Sequence, residues 1–158
     1  MADQRWVLAA GDSRLTPAPA IGGGVAGLTW RGLDILRHTP DAALASGDPL
    51  ALGAFPLVPF AGRITGGTFE FAGRRVLLPP NLAGERDAIH GQGWRNAWRV
   101  GERSPSRARL IFDHRASDWP WDYRAEQTLD LSDRALVHTL SVLNTSSTPM
   151  PAGLGLHP

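Results

Sequence analysis

Short apolar runs alternate with glycine and proline through the first eighty residues, and helical periodicity is hard to find there. Such a pattern predicts short β-strands joined by turns. The runs that we assign to strands in this half are Arg5–Ala9, Ser13–Pro17, Val25–Trp30, Leu33–Leu36, Thr68–Phe71 and Arg74–Leu78. The last two flank Ala72-Gly73, which predicts a tight hairpin.

Two short segments interrupt this strand pattern. Thr39–Ala45 predicts a single helical turn that is capped by Thr39 and ended by Gly47. Gly22–Gly24 lacks the Lys-Ser/Thr that follows the glycines of a phosphate-binding loop, so we interpret it as a flexible turn.

The alternation returns in four longer runs in the second half of the chain. They are Ala97–Gly101, Ala108–His114, Tyr123–Leu131 and Leu136–Asn144, with a turn at Ser132-Asp133. Runs of this length with short connections predict an antiparallel meander. The whole pattern therefore predicts an all-β fold, and the length of 158 residues predicts one domain over residues 1–158.

The charge balance gives no reason to expect a nucleic-acid partner. The formal net charge is +1, all sixteen basic residues are arginine, and acidic residues are interspersed with them. A basic stripe every fourth residue is formed by Arg95, Arg99, Arg103 and Arg107. Gly101 and Pro105 interrupt this stripe, and its flanks alternate as a strand does, so a nucleic-acid-binding helix is not favoured.

Cysteine is absent from the chain. This excludes a disulfide framework, a thiolate nucleophile and a cysteine-ligated zinc site. The first residues show no basic region followed by a long apolar stretch, and no run approaches the roughly eighteen apolar residues of a membrane-spanning helix. We therefore expect a soluble, cytosolic protein without a membrane partner.

The stretch Asp87–Trp94 is the strongest candidate for part of a binding site, because an imidazole and an indole stand among glycines that let another molecule approach closely. A loop of about ten polar and small residues leads into it, and loops of that length often carry function. His90 in this stretch and His157 near the end of the sequence both have glycine-rich surroundings. Histidine exchanges a proton near neutral pH, so both are candidates for acid–base chemistry.

Sugar sites commonly combine an aromatic platform with groups that hydrogen-bond hydroxyls. For Trp94, beside His90, a platform role and a core role stay open; the tryptophans that we expect to pack in the core are Trp98, Trp119 and Trp121. Structural roles are expected for His38, His114 and His138, which lie in or beside strand-like runs. No His-x-His, HExxH or Gly-x-Ser-x-Gly spacing occurs, so neither a metal site nor a serine hydrolase is predicted.

Three stretches taken together give the chain a resemblance to the aldose 1-epimerase (galactose mutarotase) family. They are Val58–Ile64 with the following Gly66–Phe69, then Ala88–Trp94, and last Asn144–Ser146 leading to Met150–Pro158. The resemblance spans nearly the whole chain. It implies a mostly antiparallel β-sandwich that interconverts the α- and β-anomers of a free hexose without a cofactor.

The resemblance also implies roles for individual residues. Arg63 would bind sugar hydroxyls, His90 would contact the ring-oxygen side, and His157 would be the general acid that protonates the ring oxygen. A carboxylate would take the proton of the C1 hydroxyl, and Trp94 would form an aromatic wall beside His90. Many family members have asparagine where this chain has Gly62, which removes one polar group.

The resemblance implies an N-terminal portion of a longer chain, because family members run to nearly twice this length. The glutamate that serves as the base would follow His157-Pro158, and no residue here matches it. Asp118, Asp122 and Glu126 show no motif that would make one of them the base. We expect such a portion to be a poor catalyst by itself and to self-associate through uncovered strand edges and apolar faces.

Three alternative functions stay open at this point. The first is a carbohydrate-binding protein without catalysis, and the second is a relative that acts on hexose 6-phosphates. The third is a structural or partner-binding β-domain whose site has decayed.

Overall fold

The computed structural model describes residues 6–158, and nearly all of its regular structure is β-strand. Within these residues there are fourteen strands, numbered in chain order, and one short α-helix, α1, over Asp41–Ser46. Three single-turn 3-10 helices lie at Pro49–Ala51, Thr65–Gly67 and Gly93–Arg95. The strands are β1 Leu8–Ala10, β2 Ser13–Ala18, β3 Gly24–Trp30, β4 Leu33–Leu36, β5 Phe55–Leu57, β6 Arg63–Ile64, β7 Thr68–Phe71, β8 Arg74–Leu77, β9 Ala88–Ile89, β10 Arg99–Arg103, β11 Arg107–His114, β12 Tyr123–Leu131, β13 Leu136–Asn144 and β14 Gly155–His157.

Two four-stranded antiparallel sheets form the body of the described chain. One has the order β1-β2-β3-β4, and the other is the meander β10-β11-β12-β13. In β12 every second residue from Tyr123 to Leu131 is buried, which is the alternation of a strand with one face in a core. The structure confirms the all-β, antiparallel fold and the predicted meander.

A core between the two sheets joins them face to face. It combines side chains of the first sheet with side chains of the second, namely Leu8, Leu15, Val25, Ala108, Leu129 and Leu131. A second core is aromatic and includes Phe60, Trp98, Phe112, Trp119, Trp121 and Tyr123. The three tryptophans that were expected to pack in the core are therefore confirmed there.

The structure differs from two local predictions, at the first strand and at the start of α1. The run that starts at Arg5 lies partly outside the described residues, and within them the strand begins at Leu8. The predicted cap of α1 is wrong, since Pro40 occupies the N-cap position and makes no side-chain cap bond. Thr39 is buried and its hydroxyl donates to the carbonyl of Ala51 at 3.2 Å, so this hydroxyl is already used; Gly47 ends the helix as predicted.

Two small ribbons lie beside the sheets and bring distant parts of the chain together. β5 pairs with β14, which places His157 opposite Phe55. β6 pairs with β9, which places Arg63 opposite Ile89. The ends of these two ribbons carry the candidate site.

Strand β13 lies at the edge of its sheet, and it exposes apolar side chains. Val137 is 58% exposed and Leu143 is 61% exposed. Self-association through this surface stays a prediction. In residues 6–158, no helix has the length and apolar character that crossing a membrane requires.

Candidate functional site

The imidazoles of His90 and His157 lie side by side although they are far apart in the sequence. Their ring centroids are 5.8 Å apart, and the ring planes cross at 76°. His90 directly follows β9, and His157 is the last residue of β14. The pairing of β5 with β14 thus brings together the two histidines that the sequence predicts for the site.

Phe55 forms the floor beneath both imidazoles. His157 stacks on it with centroids 4.7 Å apart and planes 10° from parallel, while His90 meets it edge-on at 6.5 Å. Phe55 is only 4% exposed, so it fixes where the imidazoles sit without offering a large surface to a ligand. Nothing local in the sequence distinguishes Phe55 from other apolar strand residues, and only the strand pairing reveals its role.

Trp94 lies under His90 rather than beside it. Its indole is 1% exposed, packs against Phe55 at 5.7 Å and meets the His90 ring at 87°. The indole N–H donates to the carbonyl of Ile89 at 3.2 Å. Of the two roles left open for Trp94, the geometry favours packing, because a covered indole has no free face for a sugar ring.

His90 occupies the left-handed backbone region, with φ of 59°, which costs a non-glycine residue about 1–2 kcal/mol. The Asn81 side chain holds this conformation from both sides. Its amide nitrogen donates to the carbonyls of Ile89 at 2.7 Å and Gly91 at 3.0 Å, and its oxygen accepts from the Ile89 N–H at 2.8 Å. Asn81 is therefore a positioning residue, and it lies in the loop of polar and small residues that leads into Asp87–Trp94.

The hydrogen bonds of His90 identify its tautomer. Its Nδ1 accepts from the backbone N–H of Gly62 at 3.0 Å, and the backbone N–H of His90 donates to the Gly62 carbonyl at 2.9 Å. An accepting Nδ1 requires a neutral ring with the proton on Nε2. Burial lowers the pKa of His90, and the neighbouring His157 and Arg63 lower it further. The neutral ring offers a ligand one N–H donor.

Arg63 approaches the same region from β6 and is paired with Glu85. Its Nε and Nη2 donate to the two carboxylate oxygens at 3.1 Å and 2.6 Å. The hydrogen bond to Glu85 raises the pKa of Arg63, and the same bond lowers the pKa of Glu85. Glu85 is not predictable from the sequence, because no spacing rule marks one carboxylate in a long polar loop.

The other histidines and carboxylates considered from the sequence lie elsewhere. His114 is hydrogen-bonded to the Trp119 carbonyl at 3.1 Å, and His138 to the side chain of Gln127 at 2.7 Å. Glu126 is paired with Arg109 and Asp122 with Arg115. These contacts give them structural roles. Among the described residues, no group of three or more His, Cys, Asp or Glu side chains is arranged to hold a metal ion.

Replacing Asn81 by aspartate is expected to destabilise the protein by about 2 kcal/mol, since it removes both N–H donors and leaves two carbonyls facing a carboxylate. The matched control is Asn96→Asp, because Asn96 is exposed and makes one such bond, to the Gln92 carbonyl at 2.7 Å. Urea denaturation of the two variants measures the difference. Equal losses at the two positions would contradict the clamp assigned to Asn81.

Two antiparallel sheets packed face to face, with a pair of imidazoles at the end of a small ribbon, define a β-sandwich of the galactose mutarotase type. A galactose mutarotase-like protein from Clostridium acetobutylicum superimposes with a TM-score of 0.83 at 26% identity, over 96% of this chain and 48% of that one. A candidate aldose 1-epimerase from Escherichia coli K12 superimposes with a TM-score of 0.90 at 32% identity, over 98% of this chain and 51% of the other.

The sequence model of the family described as Aldose 1-epimerase matches residues 4–158, and the chain belongs to this family. The uncharacterized protein YphB of E. coli K12 is 36% identical over 113 residues, which are 72% of this chain and 38% of YphB. The uncharacterized protein YihR of the same organism is 29% identical over 96% of this chain and 48% of its own length. The chain thus spans about half the length of these relatives, or less.

Proposed function

We propose that the site around His90 and His157 binds a free hexose and takes part in interconverting its α- and β-anomers. The observation that carries this proposal is the pair of imidazoles 5.8 Å apart on the Phe55 floor. One imidazole is held neutral by the Gly62 N–H, and the other is exposed above the floor. Anomer exchange needs one group that binds the ring-oxygen side and one that gives a proton.

In the proposed reaction, His157 gives a proton to the ring oxygen while the bond between C1 and that oxygen breaks. A base takes the proton of the C1 hydroxyl, so that C1 becomes an aldehyde carbon. Rotation about C1–C2 and reversal of both proton transfers close the ring on the other face. His90 donates a hydrogen bond through Nε2–H to the substrate throughout, because its neutral ring is not an acid at neutral pH.

The base is not assigned to any residue of this chain. Glu85 is held by Arg63, and the Asp87 carboxylate accepts the backbone N–H of Gly66 at 2.9 Å. Both carboxylates are thus engaged in structural bonds. This favours, as a second candidate function, a carbohydrate-binding role in which the chain holds a hexose without exchanging its anomers.

The proposal also assigns a supporting role to Trp94. Because its indole is covered, we propose that Trp94 packs against the His90 ring and holds it in position instead of stacking on the sugar. Arg63 supplies the hydroxyl contacts. No cofactor is involved. We also propose that residues 1–158 form a single domain and that the protein is cytosolic. The cytosolic location rests on the absence of cysteine from the sequence.

Replacing His157 by glutamine is expected to slow anomer exchange of fresh α-D-glucose by about a hundredfold or more, since general acids contribute on the order of 10²–10⁴ to rate. Polarimetry measures the rate, and NMR titration with D-glucose measures binding. His38→Gln, at an exposed position, is the control and should change neither.

The outcomes separate the two candidate functions. Enzymic exchange that depends on His157 supports the epimerase. Glucose binding that perturbs the signals of His90 without any rate above the uncatalysed one selects the binding protein. A folded chain that neither binds glucose nor speeds exchange contradicts both.

A further inference from the structure

The Arg63–Glu85 pair leaves one end of the guanidinium free. Glu85 takes the edge formed by Nε and Nη2, so the N–H groups of Nη1 and the outer N–H of Nη2 point away from the carboxylate. The Arg63 side chain is 52% exposed, against 29% for Glu85. This free end has parallel donors spaced to meet two neighbouring oxygen atoms.

The loop that carries Glu85 is fixed at both ends, so the pair does not depend on a ligand to form. Asn81 anchors the beginning of the loop to the backbone around His90. Asp87 anchors its end through the N–H of Gly66. The carboxylate of Glu85 is therefore presented to Arg63 by a loop that is already held in place.

The charges near Arg63 do not favour a second anion. Glu85 neutralises the guanidinium directly, and Asp87 adds a further negative charge that acts on Arg63. Arg86 is exposed and is not among the charges that affect Arg63, Glu85 or His90. Arginine binds phosphate through bidentate, charge-assisted hydrogen bonds, and a carboxylate already paired with the guanidinium repels such a second anion.

We propose that Glu85 determines the specificity of this site. It orients Arg63 so that the free end of the guanidinium binds two adjacent hydroxyls of a neutral sugar. It also excludes sugar phosphates, because its carboxylate neutralises the positive charge of Arg63. The identity of the ligand as a sugar rests on the proposed function. The neutralisation of Arg63 by Glu85 does not, so the two can be tested separately.

The first experiment uses inorganic phosphate and the full chain. Glu85→Gln removes the negative charge with little change in shape, and is expected to raise the affinity for phosphate about tenfold, the order of one charge-assisted hydrogen bond. NMR titration follows the Nε–H signal of Arg63, which should move on substitution even before phosphate is added. Glu70→Gln is the matched control, because Glu70 is exposed on β7 and the change in net charge is the same.

The second experiment compares D-glucose with glucose 6-phosphate. Wild type is expected to prefer glucose, and Glu85→Gln to shift the ratio of the two affinities toward the phosphate by about tenfold. Glu85→Asp keeps the charge but shortens the side chain, so it should weaken glucose binding while phosphate stays excluded. This second variant separates orientation from neutralisation and covers the case in which Glu85→Gln does not fold.

The possible results test the role of Glu85 separately from the hexose proposal. Unchanged phosphate affinity in folded Glu85→Gln, or a wild type that prefers glucose 6-phosphate, overturns the role of Glu85. If phosphate affinity rises as expected but no variant binds glucose, the hexose proposal fails while the neutralisation of Arg63 stands. If glucose binds, and the ratio of the affinities for glucose and glucose 6-phosphate is the same in wild type and Glu85→Gln, then the specificity role of Glu85 is wrong although the site still binds hexose.

Discussion

Replacing Gly91 by alanine is expected to lower the free energy of unfolding by about 2–5 kcal/mol. Gly91 has φ of 71°, a region that costs an L-residue about 1–2 kcal/mol. An added Cβ would stand 2.3 Å from the carbonyl oxygen of Val58 and 2.5 Å from Cδ of Pro59. Overpacking of this kind costs a further 1–3 kcal/mol, roughly.

The atoms that such a Cβ would meet are not free to move aside. The carbonyl oxygen of Val58 accepts the N–H groups of Gln92 at 3.1 Å and Gly93 at 3.0 Å. Shifting this carbonyl would weaken both bonds, and Val58 is fully buried. Because Gly91 directly follows His90, any relaxation would also displace the imidazole from the Phe55 floor.

The control for this substitution is Gly84→Ala. Gly84 also has a positive φ, 83°, but an added Cβ there would meet nothing within 4 Å. Gly84→Ala should therefore cost only the backbone strain, about 1–2 kcal/mol. Urea denaturation gives both free energies, and the excess at Gly91 measures the steric contact. If the two alanine variants are equally stable, the close approach of Val58 to Gly91 is not a determinant of stability.

Local pattern predicted the sheets well because each strand carries its own periodicity. The alternation in β12 is visible in the sequence, and it matches the buried face of the strand residue by residue. The same reasoning failed at Thr39, where a contact with the distant Ala51 replaces the local cap. Local preference was overridden by a tertiary hydrogen bond that no window of sequence contains.

The site was predictable only in part. The resemblance of the motif stretches pointed to Arg63, His90 and His157, and the structure brings the two histidines together. The resemblance gave no indication of Phe55 or Glu85. These residues are placed by a strand pairing and by the path of a loop, and both depend on the whole fold. Side chains that hold the site residues in place carry no motif of their own.

His138 belongs to a chain of hydrogen-bonded side chains that reaches the glycine turn Gly22–Gly24. Its Nε2 is 2.7 Å from Oε1 of Gln127, whose Nε2 donates to the carbonyl of Gly23 at 2.9 Å. Since the amide nitrogen of Gln127 is already directed at Gly23, Oε1 is the acceptor and Nε2 of His138 carries the proton. Gly23 packs in turn against the indole of Trp98.

Burial lowers the pKa of His138 from 6.5 to about 4. Between these two values the unfolded chain binds a proton that the folded chain does not, so stability falls as the pH is lowered through this window. A shift of this size corresponds to about 3 kcal/mol. The folded state therefore favours the neutral form of the His138 imidazole.

We therefore expect wild type to lose about 3 kcal/mol more stability between pH 7 and pH 4 than His138→Gln does. Glutamine keeps an amide N–H for Gln127 and has no proton to gain. Urea denaturation at half-unit steps of pH measures both profiles. The loss of stability at low pH that comes from other groups is shared by wild type and variant, so it cancels in their difference. Parallel profiles for wild type and His138→Gln would show that His138 is protonated in the folded protein as readily as in the unfolded one, and that its burial does not oppose the charge.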